Sequence, residues 1–177
     1  MNNNLILAIS PKRSCLMHKK IVDGIIWGCY SLAVSAVCSG ILIILDHSPQ
    51  ASQKDMPNLL DIPLWHIIII ITGGMIFAPL IEEFIFRFIP IRIVQRYSQN
   101  KVVLWSVIVV VSALFGKLHG DVSQIAINGS GSIFLSIAFL RGGYISAVIA
   151  HMTNNTIALL LIGSLTLIQR FFFTHSA

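Results

Sequence analysis

The chain has 177 residues, 55% of them hydrophobic and 11% charged, with a mean hydropathy of +0.83. A soluble domain carries about 25% charged residues, so a water-soluble globular fold is excluded, and the length leaves room for one domain. The formal net charge is +5, but the basic residues lie between apolar blocks, which marks membrane topology and offers no surface for a nucleic acid.

Residues 1–20 form a polar, basic N-terminal segment. The first apolar block, Gly24 to Leu45, is long enough to span a bilayer and longer than the apolar core of a cleavable leader, so it is expected to stay as an anchor. Gly24, Gly28, Ser31, Ser35, Ser39 and Gly40 recur along it at helical spacing and allow close helix approach. With the polar connector Asp46 to Asp61, it makes up the predicted unit 21–61. Cys15, Cys29 and Cys38 are odd in number, and no disulfide framework is expected.

The second block, Ile62 to Ile81, carries Trp65 near its start as an interface anchor. It runs into Ala78-Pro79-Leu80-Ile81-Glu82-Glu83-Phe84-Ile85-Phe86-Arg87 and continues to Tyr97. Ser98 to Lys101 reads as a turn, Val102 to Leu118 as the third block, and His119-Gly120-Asp121 as its end. Asn128 to Gly131 reads as a break or a close-packing patch. Ile133 to Leu140 and Tyr144 to Ile168 are the remaining apolar blocks, and residues 171–177 a short tail with interfacial phenylalanines. The expected fold is all-α: a polytopic transmembrane helical bundle of four or five spans around an intramembrane polar cavity.

Charge inside an apolar segment is costly unless paired or wetted, so Glu82, Glu83 and Arg87 define a candidate site. Neighbours on a helix point about 100° apart. Glu83 and Arg87 are four apart in the favourable order and can neutralise each other. Glu82 has no local cation, and a carboxylate so placed suits a general base. Glu82 lies about 18 residues before Asn100 and His119 about 19 after it, so two helical arms bring them to one depth. His151 and Asn155 share a helix face. If Asn128 to Gly131 is non-helical, the chain leads away over Ser132 to Leu140 and returns to His151 over a similar length. His18, His47, His66 and His175 lie near block ends or in polar segments and are expected to be non-functional. Lys117 is expected to snorkel, and Asp121 to be solvated.

These residues resemble the motifs of the CAAX-protease and bacteriocin-processing (Abi) family of intramembrane proteases, which includes the type II CAAX prenyl endopeptidases. Its three motifs match Glu82-Glu83-Phe84-Ile85-Phe86-Arg87, Phe115-Gly116-Lys117-Leu118-His119 and His151-Met152-Thr153-Asn154-Asn155. The resemblance runs from Phe77 to Leu160 and makes 62–170 the protease-like unit. It implies that Glu82 activates water with His119, that His151 and Asn155 stabilise the oxyanion, and that Glu83 and Arg87 hold the helix in place. The implied activity is an endopeptidase of the cell membrane, in contact with lipid and acting on a membrane-associated or lipidated peptide or protein. A bacteriocin-immunity or Abi-type protein that binds a partner without proteolysis fits the same resemblance, and a plain helical scaffold leaves the three motifs unexplained.

No cofactor is expected. Glu82, His119 and His151 form the alternative set for a zinc ion, but they come from three separate segments. Lys12, Arg13, Lys19 and Lys20 predict a cytoplasmic N-terminus, and Arg92, Arg96 and Lys101 a cytoplasmic hairpin tip. The site would then approach the opposite face, unlike the cytosol-facing site of prenyl endopeptidases, unless the helix after Glu82 lies differently.

Overall fold

The computed structural model describes residues 17–45 and 63–173, with the side chains at 64, 67, 70 and 165–173 excepted. The basic segment up to residue 16, the 46–62 connector and residues 174–177 lie outside the described residues, as do Cys15, His47, His175 and the side chains of Phe171, Phe172 and Phe173. Among the described residues every regular element is helical: α1 (Met17–Ile44), α2 (Leu64–Thr72), α3 (Ala78–Glu83), α4 (Ile89–Tyr97), α5 (Lys101–Leu118), α6 (Ser130–Gly142) and α7 (Tyr144–Phe173). Among the described residues, four helical stretches are long and apolar enough to cross a membrane: Met17–Ile44, Lys101–Leu118, Ile125–Gly142 and Tyr144–Ser164. The protein is an integral membrane protein with a polytopic helical fold.

The segment from α2 to α4 is one helical run interrupted by two π-helical stretches, Gly73–Phe77 and Phe84–Phe88. Each ends two residues before a proline, Pro79 and Pro90. A proline inside a helix supplies no N–H and its ring crowds the carbonyl four residues back. The wider turn relieves that crowding, and the residue before each proline bonds five residues back, Ala78 N–H to Gly73 O and Ile89 N–H to Phe84 O. The proline one position later cannot make the next such bond, so a carbonyl is released at each place. π-turns of this kind are frequent at functional sites, and the pair here brackets Glu82 and Glu83.

α4 and α5 meet at a tight turn. Asn100 caps α5, its side-chain oxygen accepting Val102 N–H at 2.8 Å, so the hairpin turn expected at this residue is present. Ile91 of α4, Leu104 and Ile108 of α5, Phe139 of α6 and Ala147 of α7 form the buried core at this end of the bundle.

α1 packs against α6 and α7 through small residues. A Cβ on Gly28 would collide with Ala150 O and Thr153, and one on Gly24 with Ile149 and Ser146. The rising numbers on both helices show that α1 and α7 run parallel. α6 runs the other way, with Arg141 beside Asp23 and Ser130 beside Cys38. Cys29 and Cys38 are free thiols.

The break expected at Asn128 to Gly131 is not a loop. Ile125–Gly129 is π-helical and continues into α6, so the close-packing alternative is the one realised. Gly129 packs on the Ser112 carbonyl, and Gly131 fits against Ser31 and Ser35, where a side chain would not. Ser35 Oγ donates to Ile127 O at 3.0 Å. Small residues here let α1, α5 and α6 close together without ending the helix.

Candidate active site

Arg87 and Glu83 are both fully buried, with Arg87 Nη1 2.9 Å from Glu83 Oε1. An isolated charge at such a site would be strongly unfavourable, and pairing with further hydrogen bonds is what makes it tolerable. Arg87 Nη2 donates to Ser132 Oγ and to Ser132 O, tying α6 to the helix of the carboxylates. The guanidinium also lies 4.5 Å from the centre of the Phe115 ring, a favourable cation–π distance. The structural pairing expected from the four-residue spacing is therefore present and is extended by α5 and α6.

Glu83 has a second partner that sequence spacing does not reveal. His151 Nδ1 is 2.8 Å from the same Oε1 atom. With Glu83 ionised against Arg87, His151 donates through Nδ1, and its Nε2 is turned toward Glu82 Oε2 at 3.6 Å.

His119 is oriented by the same device. It caps the end of α5, and its Nδ1 donates to Phe115 O at 2.7 Å. The ring lies tilted against Phe115, with centroids 4.3 Å apart, and Nε2 faces Glu82 Oε2 at 4.0 Å. Neither Nε2 distance to Glu82 is a direct hydrogen bond. Both are distances that one shared water could bridge.

Glu82 is 28% exposed and His119 34%, whereas His151 is 5%. Glu82, His119 and His151 thus converge from α3, α5 and α7, as equal arm lengths required for the first two.

Asn155 occupies a different position from its three companions. Its Nδ2 donates to Gly74 O at 3.2 Å. Gly74 O is the carbonyl that Pro79 leaves without a five-residue-back partner, so Asn155 supplies the missing donor. An amide nitrogen carries two protons, and the bond to Gly74 uses one.

Two further contacts lock the frame. Tyr144 Oη donates to Leu80 O at 2.7 Å, and Asn154 Nδ2 donates to Ser31 Oγ at 3.1 Å. Asn154 lies one residue from the motif asparagine and serves the α1 contact instead. His18, His66, Lys117 and Asp121 are exposed, and His66 stacks on Trp65.

Among the described residues, no group of three His, Cys, Asp or Glu side chains is arranged to hold a metal ion. Glu82, His119 and His151, the alternative zinc set, approach one another at 3.6 and 4.0 Å about Glu82 Oε2.

A family model, type II CAAX prenyl endopeptidase Rce1-like, matches residues 63–157, more than half of the chain. The chain belongs to that family. Comparisons with curated proteins and with solved structures return no match. The matched span of the chain contains all three polar motifs, the three π-helical stretches and the Arg87 web. It leaves out α1, which the buried face Gly24, Gly28, Ser31 and Ser35 welds to the family region.

Proposed function

We propose that this Rce1-like protein is an intramembrane endopeptidase in which Glu82 is the general base. The observation that carries the reading is the division of labour between adjacent carboxylates. Glu83 is fully buried and bonded to Arg87 and His151, while Glu82 is partly exposed with Nε2 of two histidines facing it. A water between Glu82 Oε2 and His119 Nε2 gives its proton to Glu82 and attacks the scissile carbonyl carbon. Glu82 then returns that proton to the departing amine nitrogen as the C–N bond breaks, which balances the step.

The carbonyl oxygen becomes an oxyanion during attack, and donors placed for that charge contribute most of such a rate enhancement. The second Asn155 N–H is one donor. His151 Nε2 is the other, and because its Nδ1 proton is committed to Glu83, it donates only as the protonated ring. The substrate is a peptide or protein segment that reaches the site at the membrane, and lipidated substrates fit the family.

The test is turnover by purified protein in detergent, with a prenylated CAAX-type peptide and a panel of unmodified peptides as probes. Glu82→Gln and His119→Ala are expected to lose turnover while remaining folded and membrane-inserted. Retained turnover in Glu82→Gln overturns the base assignment. A partner-binding role of the immunity or Abi type would instead keep its phenotype in both variants.

A further inference from the structure

The helix directions gather the termini of five elements at one end of the bundle. The start of α1, the end of α4, the start of α5, the end of α6 and the start of α7 lie together, since Gly142 is packed on Lys20 and Ser146, Arg141 sits 3.9 Å from Asp23, and the α4–α5 turn joins its two helices there. This end carries Lys19, Lys20, Arg92, Arg96, Lys101 and Arg141 against Asp23. At the other end, the described side chains include Lys117 and Asp121, one of each sign. Lysine and arginine accumulate on the cytoplasmic side of membrane proteins.

The candidate site lies toward the end with fewer basic side chains among the described residues. His119 follows the last residue of α5, roughly 27 Å along the helix from Lys101 at 1.5 Å per residue, and a bilayer core is about 30 Å thick. The chain turns there through the exposed residues Gly120, Asp121 and Val122. On the basic side the way is closed. The buried cluster Ile91, Leu104, Ile108, Phe139 and Ala147, with Phe88 and Tyr144 packed against it, stands between the site and the α4–α5 turn. Among the described residues, an apolar plug lies at one side of the site and the partly exposed Glu82 and His119 lie at the other.

We infer that the site opens on the non-cytoplasmic face of the membrane and takes polypeptide segments presented at that face, such as the exported portions of membrane-anchored or translocated chains. The orientation stands on the charge distribution and the apolar plug. Only the substrate class rests on the endopeptidase reading.

The test labels the unmodified full chain, expressed in a bacterial host, with a membrane-impermeant amine reagent and locates the label by mass spectrometry. Lys117 is expected to be modified in spheroplasts and to lose that modification in inverted membrane vesicles, with Lys19 and Lys101 showing the reverse. A second measurement places single cysteines at Val122→Cys or Gln99→Cys in a chain whose Cys15, Cys29 and Cys38 are replaced by serine. Impermeant maleimide is expected to reach Val122→Cys from outside and Gln99→Cys from inside. Labelling of Lys117 and Val122→Cys from the cytoplasmic side, or from both sides, overturns the orientation while leaving hydrolysis in detergent untouched. Correct sidedness without any hydrolysis in detergent overturns the substrate clause and the endopeptidase reading, with the orientation intact.

Discussion

His151 Nδ1 and Arg87 Nη1 share one acceptor, Glu83 Oε1, at 2.8 and 2.9 Å. The buried glutamate therefore does two jobs: it neutralises a guanidinium and fixes which nitrogen of His151 faces Glu82. The two are separable. Glu83→Ala leaves Arg87 buried without a counter-charge and is expected to cost roughly 3–5 kcal/mol. The double variant Glu83→Met with Arg87→Met removes both charges and is expected to recover most of that stability. It is not expected to recover turnover, because His151 has lost its acceptor. Thermal unfolding and peptide turnover on the same purified samples check both halves.

Much of this site was readable in the chain. Four-residue spacing announced Glu83 with Arg87, and equal helical arms about Asn100 announced Glu82 with His119, because both follow from helix geometry within one run or one hairpin. The His151–Glu83 bond and the Arg87–Ser132 bond were not readable. They depend on how far the helix is rotated at Phe84–Phe88 and on the side from which α6 arrives, which sequence spacing does not report. Gly129 and Gly131 left a break and a close-packing patch both open for a related reason: glycine that ends a helix and glycine that lets helices touch look alike until the neighbour is known. Asn155 was placed beside His151 by four-residue spacing and given its role by resemblance, and its bond to Gly74 became legible only once the π-turn before Pro79 was seen.

Asn155→Ala separates those two contacts by kinetics. Loss of an oxyanion donor is expected to lower kcat by about 10²–10³ with little change in KM. Loss of the Gly74 bond alone would shift the stability of the α2–α3 junction and leave kcat nearly unchanged. Steady-state kinetics alongside thermal unfolding distinguishes the two outcomes.

The α1–α7 contact should be intolerant of bulk at one glycine and indifferent at another. A Cβ on Gly28 meets the Ala150 carbonyl, whereas one on Gly40 meets nothing within 4 Å. Gly28→Leu is expected to destabilise the protein by at least the roughly 1–3 kcal/mol usual for overpacking. Gly40→Leu is expected to leave the unfolding midpoint in place. Thermal unfolding of the two variants in one detergent makes the comparison.

The turn that follows His119 carries a pH signature. The Ser123 hydroxyl and backbone N–H both bond Asp121, the hydroxyl first in weight, and hold its carboxyl below the usual value. A depressed folded-state value stabilises the fold above the unfolded value, about 3.9, and that contribution is lost as pH falls through the folded value. Ser123→Ala is expected to move the Asp121 titration upward toward the ordinary range. NMR titration of the labelled carboxyl carbon reads it directly, and an unchanged midpoint would show that the hydroxyl does not set it.

Pro79 is expected to be worth more to catalysis than to stability. Pro79→Ala restores an N–H that can reach the Met75 carbonyl, so the run can close to four-residue bonds in which Ala78 N–H takes the Gly74 carbonyl, in direct competition with Asn155. Alanine also favours the regular helix over the wide turn. The variant is therefore expected to tighten Gly73–Phe77, free the Asn155 amide and rotate Glu82 away from the two histidines, with unfolding unchanged or raised and turnover reduced. Hydrogen exchange at residues 73–79 should slow at the same time. A variant that keeps wild-type turnover while exchange slows would show that the wide turn is a consequence of the proline alone and that Glu82 does not depend on it.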